Sequence, residues 1–305
     1  MYNIRSVSLS MSSKYPKISI ITPNFNGETY LEETIRSVLD QNYPNLEYIV
    51  IDGGSTDKSV ALIESYSSKL SYWVSEPDNG QADAINKGLQ KATGEWIGFL
   101  NSDDLYVQNS LFKLVEQIDQ NADQNWIVGG TEIFGDRNEV FRTRFTEFSD
   151  DSKPIDWVTY KATSPQPSSF WSKYAMKKTG FLDTNFHFSF DCEFWLRLHL
   201  NGFKPTHSSE VLSRFRIHSE SKSSQSRLPF LNEHHQMLEK YDKEFTKAEV
   251  VEAEKILRIL ESDALIAESI DSDETYRNLW LAFKLNPKCL TNRMFLGALK
   301  QTIFS

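Results

Sequence analysis

Four stretches of the chain carry side chains whose types and spacing can do chemistry. Residues 96–104 read W-I-G-F-L-N-S-D-D, an apolar run that stops at Asn101, Ser102, Asp103 and Asp104. The run has the length of a buried strand and is too short to span a membrane. Adjacent carboxylates repel each other unless a cation lies between them or water screens them. Such a strand end suits a divalent cation such as Mg or Mn. It equally suits a solvated turn or a helix cap. Residues 52–57, D-G-G-S-T-D, follow a second apolar run. Ser55 and Thr56 fit a capped turn, whereas Asp52 at a strand tip can accept hydrogen bonds from a base N–H or ribose hydroxyls. Asp191 stands among Phe186, Phe188, Phe190, Phe194 and Trp195. Its position suits a helix cap, the weightier reading on physics alone. An aromatic wall would also raise its pKa toward a useful range for a base. His218 is a lone histidine. Only a converging partner such as Asp103 would make it a metal ligand.

The elements that must position these groups are legible in periodicity. Residues 17–22 read as a strand closed by Pro23, 28–41 as a helix, 46–51 as a strand and 58–68 as a helix. The pattern continues with 70–75 as a strand and 81–92 as a helix ended by Gly94, before the strand at 96. Strands and helices alternating with short connections imply a parallel sheet covered by helices. Its strands end in polar loops at 23–26, 52–57, 76–80 and 101–104. Parallel strands put all four on one edge, where open α/β sheets bind ligands. Further on, 110–120 reads as a helix, 126–134 and 139–145 as a hairpin, and 153–167 as a loop with three prolines. Residues 173–179 read as a short helix and 211–217 as a strand. From 227 the pattern is helical. Between 275 and 305 there are five basic residues and no acid, among many large apolar side chains. A helical pair packed on the core with a solvated basic face is the favoured reading, over a membrane-surface patch.

The bulk numbers set limits. The 305 residues are 39% hydrophobic and 25% charged, which suits a soluble globular chain with a sizeable core. A net charge of −9 argues against non-specific nucleic-acid binding. Two cysteines, Cys192 and Cys289, make no disulfide framework or metal cluster, in keeping with a cytoplasmic setting. No run of about 18 apolar residues occurs, and residues 1–15 read as a loosely held tail. No P-loop is present, and no G-x-G-x-x-G opens the first helix.

Taken together, the motifs resemble the family 2 inverting glycosyltransferases. They are I-S-I-I-T-P-N-F-N-G (18–27), S-V-L-D-Q-N-Y-P (37–44), E-Y-I-V-I-D-G-G-S-T-D (47–57), G-Q-A-D-A-I-N-K-G (80–88) and G-E-W-I-G-F-L-N-S-D-D (94–104). Q-P-S-S-F (166–170), D-C-E-F-W-L-R (191–197) and R-I-H-S-E-S-K-S (216–223) complete the set. The resemblance covers roughly 16–223. It implies a Rossmann-like, mixed but mostly parallel α/β sheet flanked by helices, the A-type glycosyltransferase fold. Residues 16–105 would bind the nucleotide-sugar, 106–223 would form the acceptor and catalytic half, and 224–305 would be a C-terminal helical region.

The same resemblance implies roles. Asp52 corresponds to the carboxylate that contacts the nucleoside, and Pro23, Asn24 and Glu28 line base and ribose. Gln81 and Asp83 also read the nucleotide. Asn101-Ser102-Asp103 occupies the Asp-any-Asp metal motif, Asp191 corresponds to the general base, and His218 to a metal-binding histidine near the diphosphate. Asn101 departs from the motif, supplies no charge, and leaves Mg or Mn largely to Asp103. Asp104 is assigned to capping the next helix.

The expected reaction transfers a sugar from a nucleotide-diphospho-sugar, by default UDP-linked, to a glycan, lipid-linked or protein acceptor with inversion. The setting is the cytoplasm, with peripheral membrane contact through 275–305 as an option. A nucleotidyltransferase would want basic residues in the first loop, and residues 20–27 have none. A catalytically dead nucleotide- or glycan-binding module is the other alternative, which Asn101 keeps open.

Overall fold

A computed structural model describes residues 14–304 apart from 122, 225 and 270–273. Of the expected tail, 1–13 lie outside the described residues, while Tyr15 packs edge-on against Tyr43 and Phe112. Strands β1 (Ile18–Asn24), β2 (Leu46–Asp52), β3 (Tyr72–Ser75) and β4 (Trp96–Phe99) are parallel, in the order β3-β2-β1-β4. They are connected by α1 (Leu31–Leu39), α2 (Ser59–Tyr66) and α3 (Gln81–Lys91).

Strand alternation sends neighbouring side chains to opposite faces. Ile21, Ile49, Ile51, Ile97 and Phe99 therefore share one core with α3, and Ile18, Ile20, Tyr48, Val50 and Trp96 share the other with α1 and α2. Pro23 does not close β1, as expected from its type. The β4 pairing stops at Ile21↔Phe99, so Pro23 has a strand neighbour on one side only, and its missing N–H costs little there.

Beyond β4 the sheet changes direction. β5 (Leu105–Tyr106) is followed by α4 (Ser110–Gln120), which packs on the face of α1. β6 (Trp126–Phe134) and β7 (Val140–Arg144) form the expected hairpin. The proline-rich stretch holds a short buried helix, α5 (Ile155–Val158), and then β8 (Ser169–Ser172), which had no strand signal. β8 runs antiparallel between β4 and β6, and α6 (Lys173–Thr179) and α7 (Phe190–Leu200) follow it. β9 (Thr206–Arg216) lies parallel to β6 and antiparallel to β5. Trp195 of α7 sits 5.1 Å from Trp126 and 5.6 Å from Trp171, ring centre to ring centre, which seats α7 on the sheet.

The C-terminal helices divide in two. α8 (Leu228–Lys240) and α9 (Lys247–Glu268) add Leu231, Met237, Leu238, Ala253 and Leu257 to the core shared by α3 and α7. α10 (Thr275–Leu285) and α11 (Arg293–Phe304) pack instead on the end of α9, through Leu265, Ile266, Leu279, Ala282, Phe295 and Ala298. The terminal pair thus covers another helix rather than the sheet. Among the described residues no helix is long and apolar enough to cross a membrane.

Candidate functional site

The four parallel strands bring their C-terminal loops to one edge. At the β1 and β2 tips, Asn24 Nδ2 donates to Asp52 Oδ1 at 2.7 Å. Asp52 is fully enclosed, and it also accepts from the Ser55 hydroxyl and N–H, the Gly54 N–H and the Ser75 hydroxyl. Burial pushes the Asp52 carboxyl up, but these hydrogen bonds outweigh it and hold the group below the ordinary carboxylate range. Asn24 Oδ1 is buried with no protein partner among the described residues. Pro23 is buried beside it in β1. Glu28 lies in the turn before α1 and is tied to the start of α2, where its carboxylate accepts from the Lys58 N–H.

Gln81 and Asp83 open α3. Asp83 accepts from the Asn79 N–H, so it closes the turn in front of its own helix. Gln81 belongs to a chain of amides. Lys222 Nζ donates to Gln81 Oε1 (3.1 Å), and Gln81 Nε2 donates to Asn101 Oδ1 (2.7 Å). Asn101 Nδ2 then donates to Gln166 Oε1 (3.2 Å), and Gln166 Nε2 donates to the Phe99 carbonyl (2.8 Å). Asn101 thus gives as well as accepts. An aspartate there would face Gln166 Oε1 and the Asp104 carboxylate, 3.4 Å from Nδ2, with no proton to offer. Ser102 lies beside Gly27 at the β1 tip.

Asp103 and His218 come together although 115 positions apart: His218 Nε2 lies 3.0 Å from Asp103 Oδ2. Arg216, at the end of β9, holds the pair in place. Its Nε donates to the Asp103 carbonyl at 3.0 Å, its guanidinium pairs with Glu33, and it lies between the rings of Tyr30 and Phe134. One carboxylate and one imidazole could hold a divalent cation there, and the imidazole nitrogen suits Mn better than Mg, which prefers oxygen ligands. Among the described residues no third His, Cys, Asp or Glu joins them.

Asp104 does not cap a helix. α4 begins at Ser110, and the residue before it is Asn109 in a left-handed conformation. Asp104 is instead fully buried and accepts from the Arg216 N–H at 2.9 Å, tying the loop after β4 to β9. Burial, with Asp103 adding to it, pushes the Asp104 carboxyl well above the ordinary range. A raised acid pKa favours the folded state when protonated, and the cost of ionisation grows as pH rises from the unfolded toward the folded value. Asp104→Asn is therefore expected to melt no lower than the wild type at pH 8. Its advantage should shrink toward pH 4, as followed by thermal unfolding. A lower melting temperature at pH 8 would remove this account.

Asp191 lies in the first turn of α7, one residue past the start. Ser189 holds the cap position and Asp191 accepts from the Cys192 N–H at 2.8 Å. Burial pushes the Asp191 carboxyl up, against that hydrogen bond. Phe190, Phe194 and Leu198 recur at helical spacing about 100° round from Asp191, whereas Trp195, four residues on, lies on the Asp191 side, and all four are buried. Phe186 is buried too, and Phe188 alone of the cluster is partly open.

The loop before α7 is clamped by Glu233 of α8, which accepts from the N–H groups of His187 (2.6 Å), Phe188 (2.9 Å) and Ser189 (2.6 Å). Lys222 also donates to the His187 carbonyl at 2.8 Å, which links this loop to Gln81 and Asn101. Arg216, Lys222, Gln166 and Glu233 had no assigned role in the sequence. Gln166, Arg216 and Lys222 do fall inside quoted motifs, while Glu233 falls in none.

Comparison with known proteins agrees with this architecture. The family model described as Glycosyl transferase family 2 matches residues 19–197. The glycosyltransferase RT0329 of Rickettsia typhi, itself uncharacterised, is 26% identical over 299 residues, covering 95% of this chain and 91% of its own. TarS of S. aureus (residues 1–349, solved with UDP) superposes with a TM-score of 0.59 at 20% identity, over 89% of this chain and 81% of that one. A mannosyltransferase of Pyrobaculum calidifontis, solved with GDP-Man and Mn2+, gives a TM-score of 0.57 at 17% identity, over 94% and 87%.

Proposed function

Because the chain belongs to glycosyl transferase family 2, we propose that it moves a sugar from a nucleotide-diphospho-sugar to an acceptor hydroxyl in glycan synthesis, with inversion at the anomeric carbon. The observation that carries this reading is the 3.0 Å approach of His218 to Asp103 at the tip of β4, on the edge that also holds Asn24, Gln81 and Asn101. In it, Asp103 and His218 hold a divalent cation, which when bound offsets charge growing on the departing diphosphate. Asp191, its pKa raised by burial, takes the proton of the acceptor hydroxyl. Asn24 Oδ1, buried and unpartnered among the described residues, accepts from a ribose hydroxyl, and the Gln81–Asn101 pair flanks the sugar diphosphate. Pro23 and Ser102 line the same cleft, while Glu28 and Asp83 fix its loops.

UDP-sugars are the first donors to try. Thermal shift with UDP-, GDP- and dTDP-sugars in Mg or Mn identifies the donor without an acceptor. Nucleotide release with glycan, lipid-linked and protein acceptors then tests transfer. Binding with no release under any acceptor would favour a binding module.

In the same reading the protein works in the cytoplasm and touches an anionic membrane surface through α10 and α11. Tyr276, Trp280 and Phe283 are exposed on one side of α10, and Lys284 Nζ lies 3.7 Å from the centre of the Trp280 ring. Cations and aromatics with no acid between 275 and 305 suit such a surface. Co-sedimentation with phosphatidylglycerol vesicles should fall at least several-fold in the Trp280→Ser, Lys284→Glu double variant. Equal sedimentation of the two proteins would remove the membrane contact.

A further inference from the structure

The acid expected to meet the nucleoside has no capacity left for it. Asp52 receives five donors, from Asn24, the Ser55 hydroxyl and N–H, Gly54 and Ser75. A carboxylate offers about four lone-pair positions. It is also fully enclosed. Its work is to join the β1, β2 and β3 tips.

Another carboxylate stands at the same strand end. The loops after β2 and β3 meet through Gly53 and Gly54. Gly54 has a φ of +82°, and a β-carbon on it would lie 3.3 Å from the Pro77 nitrogen. A β-carbon on Gly53 would lie 2.5 Å from Asp78 Oδ2. The Asp78 carboxylate thus fills the space that any side chain at 53 would take. Its Oδ1 is anchored by the Gly80 N–H at 2.8 Å. Its Oδ2 has no hydrogen-bond partner among the described residues, and the residue is partly exposed. One oxygen fixes the group, and the other is presented at the strand tip beside Asp52.

We propose that Asp78, presented over Gly53, is the residue that reads the base of the donor, and that it selects bases carrying a ring N–H (uracil, thymine or guanine) over cytosine and adenine. This rests on the glycosyltransferase reading above. An ionised carboxylate only accepts hydrogen bonds. Uracil and thymine present N3–H and guanine N1–H, whereas cytosine N3 and adenine N1 present lone pairs that oppose a carboxylate at that ring position, leaving only the exocyclic amine, to one side, as a donor. A site built to pair with a donor group rejects analogues lacking it far more strongly than a shape-matched apolar site does.

The test is calorimetric titration of the whole chain with UDP, GDP, dTDP, CDP and ADP in Mn. Wild type, Asp78→Asn, Gly53→Ala and Asp52→Asn are compared, with melting temperatures as a check on folding. In the wild type, the best of UDP, GDP and dTDP should bind at least about tenfold tighter than CDP and ADP, the worth of one hydrogen bond to a charged group. Asp78→Asn can turn its amide to donate, and should shrink that preference to about threefold or less with little change in melting. Gly53→Ala should do the same by displacing Asp78. Asp52→Asn should melt lower yet keep the wild-type preference. An unchanged preference in Asp78→Asn, or a shift of preference in Asp52→Asn alone, overturns the assignment while leaving the donor site standing. A wild-type protein that binds none of the five overturns the donor reading and this inference together.

Discussion

Asp191→Asn is expected to keep donor affinity within about threefold and to lose turnover by about 10²–10⁴-fold, the usual worth of a positioned base. Asparagine keeps the size of the side chain and can still accept from the Cys192 N–H, so the first turn of α7 should hold. What disappears is the carboxylate proposed to take the acceptor proton. The pH profile gives a second readout. Burial raises the Asp191 pKa, and only the ionised form is a base. Wild-type kcat/KM should therefore climb with pH through a midpoint above the ordinary carboxylate range, and this limb should vanish from the residual activity of the variant. Retained turnover, or the same limb in both proteins, would remove Asp191 as the base.

Asp103→Ala should weaken donor binding in Mn by at least the about 10–100-fold that even outer-shell partners of a metal are worth. Binding in chelator should change little. His218→Ala should act in the same direction, because the two side chains share one position in space. A competing account makes the Asp103–His218 contact a plain hydrogen bond that closes β9 onto the loop after β4. That account predicts loss of melting temperature with no difference between Mn and chelator. Equal donor affinity of wild type and Asp103→Ala in Mn would decide for it.

The first hundred residues were readable because each element there declares itself locally. Apolar alternation marks the strands, a three-to-four spacing marks the helices, and Gly, Pro and Asn punctuate them. β8 was not readable. Four residues, S-F-W-S, carry too little alternation, and only the gap between β4 and β6 makes them a strand. β5, with two residues, is shorter still.

The site shows the same division. Residue types pointed to Asp103, His218 and Asp191 as chemical groups. The meeting of Asp103 with His218 depends on β9 lying beside β5, which no local pattern encodes. The position of Asp104 suggests a cap, because acids favour such places, but the backbone of Arg216, 112 positions away, claims it. In sequence the aromatics around Asp191 read as a wall. A helix beginning at Phe190 carries Phe190, Phe194 and Trp195 into the core, so they pack the fold as well as flank the acid.

The Glu233 clamp has a consequence for how this protein can be recombined. A natural place to exchange catalytic halves between relatives would be near 224, where the recognisable motifs end. A chimera joined there would bring its α8 from another parent, and with it whatever side chain stands opposite the three N–H groups of 187–189. Unless that parent carries an acid at the matching turn, the loop leading to Asp191 would be left with three unpaired N–H donors, that of Ser189 buried, and nothing to hold them. A junction between α9 and α10 would keep lock and key from the same parent.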